Sequence, residues 1–312
     1  MIEATVPGRP RLGIVTVSYF PDLAVLARQL AALPDDLVKL VIDNTGECPA
    51  RYELRAMLCD WPSVKLIENE HNIGLAAAFN LGAKQLRVKQ CSEILLLDQD
   101  SEPQRGAVLA LHQQWQTLTA ANPRIGAVGP RLCEAESGID HGFHCRRHGL
   151  WVRHHPDSTA DRPVAVASLN GSGTLMALSL YQALGGLDES LFIDHVDTEW
   201  SFRLQAAGYT LLGLPGVRFE HRMGRSTTRI WLLGWRAWPS RSPVRHYYLY
   251  RNTLRLLQLR HPPLVWKFWA LARLLLNYAV QWLAGSEGVE QRRQMRRGLS
   301  DGWKGHLGPR RD

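Results

Sequence analysis

Asp98-Gln99-Asp100 closes the apolar run EILLLD and spaces two carboxylates at i, i+2. Carboxylates so placed on a chain leaving a strand can both reach one hard cation, which keeps waters and bridges substrate phosphates; a solvated acidic turn uses the same residues. Asp43-Asn44 closes an earlier run, VKLVID. An acid there can accept hydrogen bonds from a ribose or a base edge, or the pair can simply start an Asx turn. In NEHNIGLAAAFN, from Asn69 to Asn80, Gly74 and the alanines permit close backbone approach at a helix start, where free N–H groups favour an anion. A tightly packed, well-capped helix has the same pattern. Asp197, within DHVDTEW, falls in the first turn of a helix beginning near Val196. A carboxylate there can serve as a general base or merely complement the helix dipole. His221 follows an apparent strand over Val217–Glu220 and suits either a metal ligand or a structural role.

These groups need elements to hold them. LGIVTVS (12–18) reads as a buried strand, and VKLVID (38–43), VKLI (64–67) and EILLLD (93–98) as further strands. DLAVLARQLAAL (22–33) and the stretch from Leu75 to Val88, capped by Asn72, read as helices. Strands alternating with helices predict an α/β, Rossmann-like sheet, mostly parallel, with helices on both faces. Ligands of such sheets bind beyond the carboxyl ends of the strands. Ser18-Tyr19, Asp43-Asn44 and Asp98-Gln99-Asp100 all lie at those ends, on one rim. Residues 134–163 read as an excursion or a β-hairpin, and 164–178 as strand, glycine turn, strand. Six His and Cys residues between His141 and His155 match none of the usual closed zinc spacings, and Arg146, Arg147 and Arg153 oppose a cation there.

The 312 residues, 45% hydrophobic and 21% charged, have a globular composition that excludes disorder and fibrous repeats. Five cysteines with no CxxC pair argue for a reducing compartment, and the N-terminus does not read as a signal peptide. Charge divides the chain: 18 of 37 Lys and Arg lie beyond residue 220, with only four of 29 Asp and Glu. Seven of 11 Trp lie there too, and no acid occurs from His221 to Ser286. That composition suits an anionic membrane face; no nucleic-acid module is recognisable. RHYYLYRNTLRLLQLR (245–260) reads as a basic helix. The apolar stretch 264–284 is long enough to span a bilayer. Lys267 and Arg273 would then cost about 2.5–3.5 kcal/mol each near the centre. A helix lying in the interface is expected instead, with those groups among headgroups and Trp266, Trp269 and Trp282 beside them.

Taken in order, the motifs form a series. It runs VSYFPD (17–22), Asp43-Asn44, Asn72 to Asn80, LDQDS (97–101), NGSG (170–173), FIDHVDTEWSFR (192–203) and H-x-x-G (221–224). YYLYRN (247–252) and the glycine-rich basic end GLSDGWKGHLG (298–308) continue it. This series resembles the inverting GT-A glycosyltransferases of family 2, in their rhamnosyltransferase-like branch. The resemblance implies a GT-A catalytic domain over 1–244, its donor half about 1–130 and its acceptor half about 131–244, then a basic helical membrane-associating region over 245–312. It implies a divalent cation, Mg or Mn, on Asp98, Asp100 and His221. Nucleotide-sugar contacts would come from Ser18, Tyr19, Asp43, Asn72, Gly74, Asn80, Asp98 and Gln99. Asp197 would be the catalytic base, and Glu199 and Trp200 would shape the acceptor side. The implied reaction moves a sugar, L-rhamnose from dTDP-rhamnose, to a hydroxyl of a lipid-linked or polysaccharide acceptor at the inner membrane face. UDP-galactofuranose and UDP-N-acetylglucosamine are rival donors, and a non-catalytic binding module on a degenerate nucleotide fold is the rival class.

Overall fold

A computed structural model describes residues 11–135, 138–157, 161–221, 227–231, 235–239, 241–284 and 288–311. The first ten residues, and Arg222, Met223 and Gly224 of the H-x-x-G element, lie outside the described residues. The first half alternates as expected: β1 (Leu12–Ser18), α1 (Leu23–Ala32), β2 (Val38–Asp43), α2 (Pro49–Leu58), β3 (Val64–Glu68), α3 (Leu75–Val88) and β4 (Glu93–Asp98). There follow β5 (Ser101–Pro103), α4 (Ala107–Ala121), β6 (Ile125–Glu134), β7 (Phe143–Arg147), β8 (Leu150–His154), β9 (Val164–Val166) and β10 (Leu175–Ala177). The remainder is α5 (Leu178–Ala183), α6 (Val196–Ala206), β11 (Thr210–His221), β12 (Thr227–Trp231), β13 (Trp235–Pro239), α7 (Pro243–Gln258), α8 (Leu264–Leu283) and α9 (Val289–Lys304).

The main sheet runs β3-β2-β1-β4-β10-β6-β11-β5. β3, β2, β1 and β4 are mutually parallel, and β10 enters antiparallel between β4 and β6. Strands covered on both faces become continuous apolar runs, and all seven residues of β1 are buried. Leu26 and Leu30 of α1, Leu54 of α2 and Val108, Leu111 and Trp115 of α4 form the core of one face. Phe79 and Leu86 of α3, Trp200 and Phe202 of α6, and the β7–β8 hairpin form the other. The expected mixed, mostly parallel sheet with helices on both faces is therefore present.

The C-terminal region is helical, as expected. Leu256, Trp266 and Ala270 belong to the same core as Phe202, so packing is continuous across residue 244. None of the described helices is long and apolar enough to cross a membrane. α8 is rotated relative to the expected interfacial helix. Trp266 is 1% exposed and meets the rings of His195 and Phe202. Lys267 Nζ donates to the carbonyls of Leu257 and Leu259, where α7 ends, a cation satisfying the open end of a helix. Asn277 and Gln281 are buried. The interrupting polar groups thus face mainly the protein, while Leu264, Phe268, Leu275 and Trp282 are 65–73% exposed.

Candidate active site

Strand ends carry the site. The β1–β2 register sets Ser18 against Asp43, and the β1–β4 register sets Val17 against Asp98, so the ends share one rim. β11 runs antiparallel to β5 with His221 opposite Ser101, which brings the imidazole beside Asp100 across more than a hundred residues of sequence. His221 Nε2 lies 3.3 Å from Asp100 Oδ1 and 3.8 Å from Asp98 Oδ2. One ligand atom from each of the three residues falls within 4.8 Å of the others. Among the described residues this is the group arranged to hold a metal ion.

Two carboxylates and an imidazole fit a hard divalent cation, Mn²⁺ better than Mg²⁺ because of the nitrogen. His221 Nδ1 is buried without a hydrogen-bond partner. Burial, reinforced by the charge of Asp98 and opposed by His221, lifts the Asp100 carboxyl to about 6. Burial pulls His221 toward the neutral form, but Asp98 and Asp100 outweigh it and leave its pKa raised. The cluster is thus poised to exchange protons for a cation.

Gln29, on α1, fixes the turn between the two aspartates. Its Nε2 donates to the carbonyls of Asp98 and Ser101, both at 2.7 Å, while Thr16 Oγ1 donates to its Oε1 at 2.8 Å. A lone glutamine in an amphipathic helix gives no sequence signal for this. The NGSG turn joins the rest. Asp98 N donates to Ser172 Oγ, and Gly171 N donates to Asp197 Oδ2 at 3.0 Å. Asp197 Oδ1 accepts from Thr198 N at 2.7 Å and from its hydroxyl at 3.2 Å. Burial raises the Asp197 pKa against these hydrogen bonds, and the nearby charge of Asp98 adds to the rise. A carboxyl pushed toward neutrality is a stronger base when ionised.

Other residues named from sequence have different surroundings. Ser18 and Asp43 are fully buried; Asp43 accepts from Ser18 Oγ, Thr45 Oγ1 and Arg51 Nε. The rim there presents Tyr19 and Phe20 instead, 49% and 52% exposed and packed edge to face. Gln99 clasps the Tyr19 backbone, accepting from its N and donating to its O. Glu199 lies two residues beyond Asp197, about 200° around the helix, and does not join the cluster. It pairs with Arg203 at 2.6 Å and lies 3.1 Å from His261 Nε2, beside a separate pocket that Asn80 and Glu189 also line. Trp200 is buried against Tyr181.

Asn72, Gly74 and Asn80 hold the segment that leads into α6. Asn72 Oδ1 accepts from Gly74 N, and Gly74 (φ +88°), rather than Asn72, occupies the N-cap position of α3. A Cβ on Gly74 would stand 2.7 Å from the Phe192 ring, and Leu75 N donates to Phe192 O. Asn80 binds Leu187 through both N and O, each at 2.9 Å. Asn252 Nδ2 reaches the carbonyls of Leu191, Ile193 and Asp194, and Arg251 reaches those of Ser190, Leu191 and Gly308. Phe192, Asp194 and His195 have φ of +63° to +64°, a region costly for side-chain-bearing residues. Asp194 is held below the usual carboxylate range despite its burial, because Arg245 and Arg241 bind it.

A mixed GT-A-like sheet with paired carboxylates at its switch point is the architecture of nucleotide-sugar transferases, and comparison with known proteins agrees. No family model matches the chain. GalNAc-T7, solved with UDP, GalNAc and Mn²⁺, superposes with a TM-score of 0.58 at 17% identity, covering 95% of this chain and 56% of that one. Over 253 residues the chain is 28% identical to the dTDP-rhamnosyl transferase RfbF of Shigella flexneri, covering 80% of this chain and 81% of the relative. It is 27% identical over 245 residues to the N-acetylglucosaminyl-diphospho-decaprenol L-rhamnosyltransferase of Mycobacterium tuberculosis, covering 70% and 78% respectively. The chain is a glycosyltransferase of the GT-A fold. Within that class it is related to the rhamnosyltransferases.

Proposed function

We propose that the protein transfers L-rhamnose from dTDP-rhamnose, with inversion, to a hydroxyl of a lipid-linked or polysaccharide precursor at the inner face of the cell membrane. The observation that carries this reading is the convergence of Asp98, Asp100 and His221, with Asp98 and Asp197 both bound to the NGSG turn. Tyr19 and Phe20 offer exposed rings on which a nucleobase can stack. Asp98, Asp100 and His221 would hold a divalent cation, which when bound supplies positive charge against the donor diphosphate as its bond to the sugar breaks. Asp197 accepts the proton of the acceptor hydroxyl as that oxygen attacks the anomeric carbon opposite the diphosphate. The hydrogen bonds from Gly171 and Thr198 fix the orientation of this carboxylate, so little reorganisation accompanies proton transfer.

The C-terminal helices support attachment to an anionic membrane. α8 offers an outward stripe of Leu264, Phe268, Leu271, Leu275, Trp282 and Leu283, all exposed. A monomeric soluble protein seldom leaves such a stripe uncovered. Its basic surroundings, without an acid from His221 to Ser286, match anionic headgroups. The apolar face enters the lipid boundary, and the polar side stays on the protein.

A panel of nucleotide sugars tests the reaction. Purified protein with Mn²⁺ should release dTDP from dTDP-rhamnose faster than it releases UDP from UDP-galactofuranose or UDP-N-acetylglucosamine. Preference for a UDP-sugar would replace the donor, and release from none would remove the transferase reading.

A further inference from the structure

A second group of positive charges lies against the β7–β8 hairpin. Arg273, on α8, covers the Trp269 ring at 5.2 Å, and that ring meets Trp151 at 6.1 Å and His144 at 6.0 Å. Arg153 Nη2 lies 3.1 Å from His144 Nε2. The two guanidiniums thus act on one imidazole. Neither pairs with a carboxylate among the described residues, and burial lowers the basicity of both. Asp140, the acid whose charge reaches Arg153, is engaged by Arg131 at 2.9 Å and His155 at 3.3 Å.

The surroundings do not neutralise this charge. Burial, with Arg153 and Arg273 beside it, pushes His144 down to about 4, so it is neutral, and its Nδ1 has no hydrogen-bond partner. Arg273 is itself made less basic, by burial and then by Arg241 and Arg153. Adjacent cations without a counterion repel, and an arrangement that keeps them together matches a polyanion, for which the planar guanidinium is suited. A small cleft of about 30 Å³, lined by His141, His144, Arg153, Asn170 and Ser172, lies between Arg153 and the turn whose Gly171 binds Asp197. On its other side the cluster adjoins α8, whose outward face is apolar.

We propose that Arg153 and Arg273 form an anion site for the diphosphate of a lipid-linked acceptor, between the outward stripe of α8 and Asp197. It is separate from the donor diphosphate at Asp98, Asp100 and His221. The inference rests on the transferase reading above and deepens it by naming the acceptor group recognised. The lipid chain would then lie along α8, with the diphosphate on the two arginines and a sugar hydroxyl at Asp197.

Two measurements on the full chain test this. The first is equilibrium binding of inorganic pyrophosphate in EDTA, where no cation is available to Asp98, Asp100 and His221. The wild type should bind, and Arg153→Gln with Arg273→Gln should bind at least tenfold more weakly, with Lys at both positions restoring part of the loss. Equal binding by wild type and the Gln variant overturns the site. Circular dichroism and the melting temperature establish that each variant is folded. The second compares KM for a water-soluble short-chain prenyl-diphosphate sugar with KM for an alkyl glycoside of the same sugar. The Gln variant should raise the first at least tenfold and leave the second, and the donor KM, within threefold. A raised donor KM would reassign the arginines to the donor. Loss of vesicle binding with both acceptor KM values unchanged would reassign them to lipid headgroups. Absence of transfer from every nucleotide sugar would remove the acceptor assignment with the transferase reading, whereas the pyrophosphate measurement decides the anion site independently.

Discussion

Asn252→Ala should slow transfer without contacting any substrate. The Asn252 amide donates to three carbonyls of the segment preceding α6. Leu191 O keeps Arg251 Nη2 and Ile193 N as partners, whereas the carbonyls of Ile193 and Asp194 lose their donor. An unmet buried carbonyl costs about 1–3 kcal/mol, so the variant should lose about 2–4 kcal/mol of stability, with water relieving part of the deficit. The same bonds hold Phe192, Asp194 and His195 at positive φ, each unfavourable by roughly 1–3 kcal/mol. Released, the segment relaxes and shifts the first turn of α6, which carries Asp197. A displacement of about 1 Å can reduce the rate about a hundredfold. Urea denaturation and steady-state kinetics with dTDP-rhamnose provide the readouts: kcat should fall about a hundredfold while the donor KM stays within threefold. Asn252→Asp keeps the shape but removes the donor, and should behave like the alanine variant. Stability within about 0.5 kcal/mol of wild type, or an unchanged kcat, would refute the clamp.

The metal cluster should bind protons in competition with Mn²⁺. Because Asp100 is raised to about 6 and His221 above its ordinary value, both take up protons as pH falls. Mn²⁺ affinity, followed by electron paramagnetic resonance, should therefore weaken about tenfold or more per pH unit below 6; a flat profile between pH 5 and 7 contradicts the ligand set. For the membrane face, Phe268→Glu with Leu275→Glu should lower partitioning onto anionic vesicles at least thirtyfold, since each buried apolar side chain is worth about 1.5–3 kcal/mol. Donor hydrolysis in detergent should persist, and unaltered flotation would locate the membrane contact elsewhere.

The strand ends were legible because a buried parallel strand is a short apolar run, and the polar residue terminating it has to sit on the rim. β1, β2 and β4 follow from that pattern, and the edge strand β3, half-exposed, from its short apolar run. Partnerships to backbone carbonyls leave no such trace. Asn80, Arg251 and Asn252 stand out as motif residues in the sequence, yet their work is to bind a segment between Leu187 and Asp194 that lies far away along the chain. α9 reads as a glycine-rich end for a related reason. Gly298 and Gly302 are contact points at which a Cβ would stand 2.3 Å and 2.8 Å from the carbonyls of Tyr247 and Arg251, so they pack α9 closely on α7 rather than break it. The orientation of α8 was ambiguous because helical periodicity distinguishes two faces without saying which one meets protein. Lys267 decides it, by closing the end of α7.

In the proposed reaction Asp197 performs the chemistry beside a separately assembled donor site, and Asp197→Asn separates the two. Asparagine keeps the size of the side chain and an oxygen to accept from Gly171 but cannot take a proton at neutral pH. Transfer from dTDP-rhamnose, followed as product formed with Mn²⁺ present, should fall at least a thousandfold while the Kd for dTDP stays within threefold of wild type. Transfer within a few fold of wild type, or loss of dTDP binding together with transfer, would exclude Asp197 as the base.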